Sequence, residues 1–79
     1  MGSKEFVEYV VPWLVDYPDE VQITEATSAN GGLIYELEVN PEDMGKVIGK
    51  RGRIIRSLRA LARAASQGEE LPASVELVD

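Results

Sequence analysis

Two cationic side chains, Lys50 and Arg51, stand between two glycines, Gly49 and Gly52. Glycine carries no side chain, so the backbone there can turn sharply and lie close against a phosphodiester chain. Lys50 and Arg51 add mobile positive charge beside that bend. A helical pattern follows from Arg53, and the start of a helix offers unpaired N–H groups and the positive end of its dipole to a phosphate. Ile48, Ile54 and Ile55 flank the bend and can form an apolar floor for unstacked bases. A charged rim over an apolar floor suits a single strand, whereas a duplex keeps its bases stacked out of reach. Glycines at this spacing recur by chance, and the plain alternative is a helix–helix turn carrying solvated charge. The surroundings of the pair therefore decide what it means.

Charge is the first of those surroundings. The chain has 79 residues and a net charge of −6, which taken alone argues against a polyanionic ligand. Seven of the eight basic residues (Lys46, Lys50, Arg51, Arg53, Arg56, Arg59 and Arg63) nevertheless fall between positions 46 and 63, where no acid occurs. Outside that window 14 acids face one base, Lys4. Because the Debye length is about 8 Å at physiological salt, a ligand at the window responds to local charge. The bland reading of such a run is a solvated helix face.

The elements that must position these residues are legible in outline. Apolar residues at Phe6, Val7, Val10, Val11, Leu14 and Val15 predict a helix over 4–16, with Ser3 as its cap and Pro12 as a kink or a displaced start. Trp13 and Tyr17 read as packing residues of that helix, with a protein-contact patch as the alternative. A strand begins at Val21-Gln22-Ile23-Thr24, and Asn30-Gly31-Gly32 is a turn signal. Leu33, Tyr35, Leu37 and Val39 then alternate with Ile34, Glu36 and Glu38, predicting an antiparallel hairpin with one buried face. Asn40-Pro41-Glu42-Asp43 caps a short helix over 41–48, which breaks at 49–52. A longer helix spans about 53–66, with Ile54, Ile55, Leu58, Leu61, Ala62 and Ala65 on one side and Arg53, Arg56, Arg59 and Arg63 on the other. Gln67-Gly68 ends it, Pro72 follows, and 74–78 predicts a last strand with Val75 and Leu77 inward. The order is α-β-β-α-α-β in one domain over 4–79, with 1–3 expected to be an expression scar or start.

In this context the run Gly45-Lys46-Val47-Ile48-Gly49-Lys50-Arg51-Gly52-Arg53-Ile54-Ile55 resembles the KH signature V-I-G-x-x-G-x-x-I at every fixed position. The element order resembles the type II arrangement, and the length and layout resemble the small stand-alone bacterial KH proteins of the KhpA family. The KH resemblance implies an α+β fold, a three-stranded mixed sheet backed by three helices. It also implies that about four nucleotides of single-stranded RNA, or sometimes DNA, lie between the loop with its flanking helices and strand 33–39. Carried over by position, Gly49, Lys50, Arg51 and Gly52 meet the sugar-phosphate backbone. Val47, Ile48 and Ile55 belong to the groove or to the core beneath it, and Lys46, Arg53 and Arg56 extend the positive rim. The KhpA resemblance further implies a homodimer, pairing with a larger KH-containing RNA-binding protein, and roles in RNA metabolism and in cell elongation or division.

Other classes fare worse. With no His and no Cys, and with acids scattered singly or as surface neighbours, a nucleophile, base and orienting group cannot be assembled, so the chain is not expected to be an enzyme. No metal or cofactor is implied. A P-loop is excluded because Lys50 stands where its second glycine is required, counting from Gly45. A helix-turn-helix DNA binder would need a three-helix core, against which the hairpin and last strand argue. A protein-interaction or dimerisation module using the glycine loop, with RNA contact secondary, remains the alternative. No apolar run approaches membrane-spanning length and no signal-peptide pattern opens the chain, so a cytoplasmic location is expected.

Overall fold

The computed structural model describes residues 2–29, 31–67 and 73–78. Parts of the expected turn at Asn30 and of the helix end at Gly68 through Pro72 lie outside these. Helix α1 covers Ser3–Leu14 and is followed by a 3-10 turn, Pro18–Glu20. Strands β1 (Gln22–Thr27) and β2 (Leu33–Glu38) form the hairpin. A 3-10 turn at Pro41–Asp43 leads into α2 (Met44–Ile48), then a tight turn at Lys50–Gly52 leads into α3 (Arg53–Ala65) and strand β3 (Ala73–Leu77).

The sheet order is β1-β2-β3, with β1 antiparallel and β3 parallel to β2. Alternation along β2 buries Tyr35 and Leu37, with Val39 just beyond, against the helices. Val75 joins them from β3, and Val7, Val11, Val47, Ile55, Leu58 and Ala62 close the core from all three helices. Glu36 and Glu38 occupy the opposite face, and Glu76 is registered beside Glu36, so the outer sheet surface is acidic. Among the described residues, no helix is long and apolar enough to cross a membrane.

Three details differ from the sequence reading. Pro12 does not displace the start of α1; it lies in the last turn, where it removes one hydrogen bond, to the Glu8 carbonyl. Gly2, not Ser3, occupies the N-cap position, and Ser3 is fully buried with its Oγ 2.7 Å from the Tyr35 hydroxyl. Trp13 is 79% exposed and so is not a packing residue.

Asp43, which the sequence marks only as a first-turn acid, is fully buried. Its two carboxylate oxygens accept the backbone N–H groups of Asp16 and Tyr17, each at 3.0 Å. The chain leaving α1 is thereby tied to the start of α2. Asn40 Oδ1 accepts the Glu42 N–H at 2.8 Å, as its cap position predicts.

Candidate nucleic-acid interface

The loop between α2 and α3 is built from three departures from ordinary helix within four residues. Gly49 has φ +76° and ψ 173°, Arg51 has φ +57° and ψ 26°, and Gly52 has φ +74° and ψ 16°. Left-handed backbone is disfavoured by about 1–2 kcal/mol for a residue with a β-carbon, which explains two glycines and makes Arg51 a strained exception. The turn is closed by Gly49 N–H on the Gly45 carbonyl at 2.9 Å and Gly52 N–H on the Gly49 carbonyl at 3.1 Å. Arg56, one turn into α3, reaches back to donate to the Arg51 carbonyl at 2.9 Å and the Gly52 carbonyl at 3.3 Å. It braces the bend while its charge stays exposed.

From this loop a basic track runs along α3. Gly52 to Arg63 covers about 16 Å at helical rise. Arg56, Arg59, Ala60 and Arg63 face Ala73 and Ser74 of β3 across an open cleft of about 380 Å³. The wall opposite α3 is therefore β3. Strand 33–39, which the sequence reading placed there, is central and hydrogen-bonded on both edges. A strand paired on both sides has no open edge to offer, whereas β3 does.

The apolar residues divide. Val47 and Ile55 are buried in the core beneath the loop. Ile48 and Ile54 are partly exposed beside it, and Ile54 packs onto Gly49. Around α3, Ile54 and the 53%-exposed Leu61 are about 20° apart, and Arg59 is about 140° from Ile54. Ile54 and Leu61 thus share the flank away from β3, and the cleft's small side chains are Ala60 and Ala73.

Lys46 points elsewhere. Its ammonium is paired with the Asp16 carboxylate near the end of α1. That hydrogen bond raises its pKa above the ordinary range. A larger open cleft, about 660 Å³, lies where β2 runs into α2. Asp19, Glu20 and Glu38 line it, so it carries the wrong charge for phosphate.

A three-stranded mixed sheet under three helices, with a G-x-x-G bend between the second and third, is a type II KH domain. A family model described as KhpA/KhpB, KH domain, matches residues 4–77, and the chain belongs to that family. The relatives include proteins named RNA-binding protein KhpA. The one from Clostridium acetobutylicum is 47% identical over 75 residues, spanning 95% of this chain and 99% of that protein. Its counterpart from Caldanaerobacter subterraneus is 45% identical over 74 residues, spanning 94% and 97%. That from Chlamydia trachomatis is 41% identical over 76 residues, spanning 96% of each.

Proposed function

We propose that this chain binds single-stranded RNA across the bend Gly49-Lys50-Arg51-Gly52 and along the cleft between α3 and β3. The observation that carries this reading is the separation of charge. Lys50 and Arg51 sit at the bend, Arg53 opens α3, and Arg56, Arg59 and Arg63 continue along the cleft, while the outer sheet and the larger cleft present carboxylates. The names of the relatives support RNA as the polymer. About four nucleotides occupy the site, as the KH resemblance implies, with backbone contacts dominating and sequence specificity low. No catalytic step is involved.

The domain works in the cytoplasm within a larger assembly, as a homodimer or beside a larger KH-containing RNA-binding protein. Apolar surface for such contacts exists outside the cleft: Ile54 and Leu61 on one flank of α3, and Tyr9 and Trp13 on α1. In the competing reading the bend itself is the protein contact.

Reversing charge at the bend separates the two. Lys50→Asp with Arg51→Asp is expected to abolish retention of a fluorescent single-stranded RNA, while circular dichroism and sedimentation remain those of the wild type. Unchanged RNA retention contradicts the RNA reading, and loss of self-association favours the interaction reading.

A further inference from the structure

The open edge of β3 is already occupied at one point by a side chain from α3. Arg59 Nε donates to the Val75 carbonyl at 2.8 Å, and its Nη2 lies 3.6 Å from Glu76 Oε2. Val78 N–H donates to Leu37 on the other side of the strand. Backbone groups of a strand alternate between its two sides, which fits the Val75 carbonyl facing the cleft. Left uncovered, that carbonyl would be a hydrogen-bond acceptor at the height where a base in the cleft would sit. Covered, it is replaced by the remaining N–H donors of a planar guanidinium whose side chain is 41% exposed.

Acceptors and donors on a strand edge favour different bases. Cytosine and adenine present exocyclic amino groups, which need an acceptor. Uracil O4 and guanine O6 are acceptors, and an Arg fork pairs with guanine O6 and N7. We infer that Arg59 turns this edge of β3 from an acceptor into a donor surface, and so biases one base position in the cleft toward keto bases over amino bases. The inference rests on the α3–β3 cleft being the path of the RNA.

The charge pattern favours a base contact over a phosphate contact for this residue. Arg59 shares its charge with Glu76, whereas among the described residues neither Arg56 nor Arg63 has a carboxylate within ion-pairing distance. A guanidinium already neutralised by a neighbour has less to gain from a phosphate than its unpaired neighbours do. Its fixed, planar donors still distinguish base edges.

Oligouridine and oligocytidine of equal length test the effect, because cytosine replaces the O4 acceptor of uracil with an amino group and its N3–H donor with an N3 acceptor. Fluorescence anisotropy at one salt concentration is expected to give tighter binding of oligouridine by about fivefold, the size of one good polar contact to a base. Arg59→Ala uncovers the carbonyl and brings the ratio to one or below. Arg63→Ala removes the same charge without touching Val75, and weakens both ligands by the same factor. Equal affinities in the wild type, or a ratio that survives Arg59→Ala, overturn the role of Arg59 and leave the RNA site standing. Binding of neither ligand by the wild type sinks the RNA reading itself, and this inference with it. Equal wild-type affinities overturn the role even without a folded variant.

Discussion

Ile54 closes directly over Gly49. A β-carbon at Gly49 would lie 2.5 Å from Ile54 Cγ1 and 2.8 Å from its Cβ, at a backbone φ of +76°. The first glycine of the bend is therefore required twice, once by its conformation and once by the isoleucine that opens α3. Gly49→Ala should cost about 2–4 kcal/mol, adding left-handed strain to overpacking. A domain of this size has roughly 3–5 kcal/mol in total, so urea denaturation is expected to show most of it gone. Ile54→Ala in the same chain should return only part of the packing cost, because the β-carbon of residue 54, 2.8 Å away, remains. Gly52→Ala meets only Ile55 Cγ2 at 3.9 Å and should lose only the strain, about 1–2 kcal/mol.

The buried carboxylate of Asp43 makes a separate demand. Asp43→Ala leaves the Asp16 and Tyr17 N–H groups without their acceptor and should destabilise the fold by about 2–3 kcal/mol. Asp43→Asn keeps one acceptor oxygen and should lose less. Denaturant midpoints of the two variants, taken side by side, test the order. Equal stabilities would mean that the carboxylate does not hold α1 to α2.

Salt dependence follows from the basic track. If the RNA neutralises about three positive charges, log affinity against log salt should fall with a slope near −2, at ~0.7 per phosphate on a single strand. Arg63→Ala should make the slope shallower. A flat response would mean that the track does not meet phosphate.

Alkaline pH should weaken the fold slightly. The Asp16 carboxylate raises Lys46 above 10.5, and a hydrogen bond to Glu42 raises Tyr17 above 10.0. Both groups hold a proton more tightly folded than unfolded. Their contribution is complete below about pH 10 and is lost as pH rises through the raised values. Urea midpoints are expected to stay level up to about pH 10 from these two groups and then decline. Asp16→Asn should remove part of the decline, and both effects are small because the groups are exposed.

Local signals in the sequence carried most of the element order. Alternation over Leu33–Val39 set the buried face of β2, Asn40-Pro41 set the start of the next helix, and the glycine pair set the bend. What stayed hidden depends on distant parts of the chain. Ser3 meets Tyr35 across 32 positions, and Asp43 finds its donors only when the end of α1 arrives. Strand order also decides which strand faces α3. The parallel return of β3 takes the edge and leaves β2 in the middle, which no local pattern reveals. Periodicity assigned Leu61 to the apolar side of α3 correctly, but that side is wider than the surface the sheet and α1 cover.

The path of the nucleic acid is tested most directly by amide chemical shifts of the labelled domain during titration with oligouridine. Shifts are expected to concentrate at residues 49–53, along Arg56, Arg59, Ala60 and Arg63, and at Ala73–Val75. The outer sheet around Thr24 and Glu36 should stay still. Shifts gathered instead on the Tyr9 and Trp13 face, or on the outer sheet with the bend silent, would contradict the account.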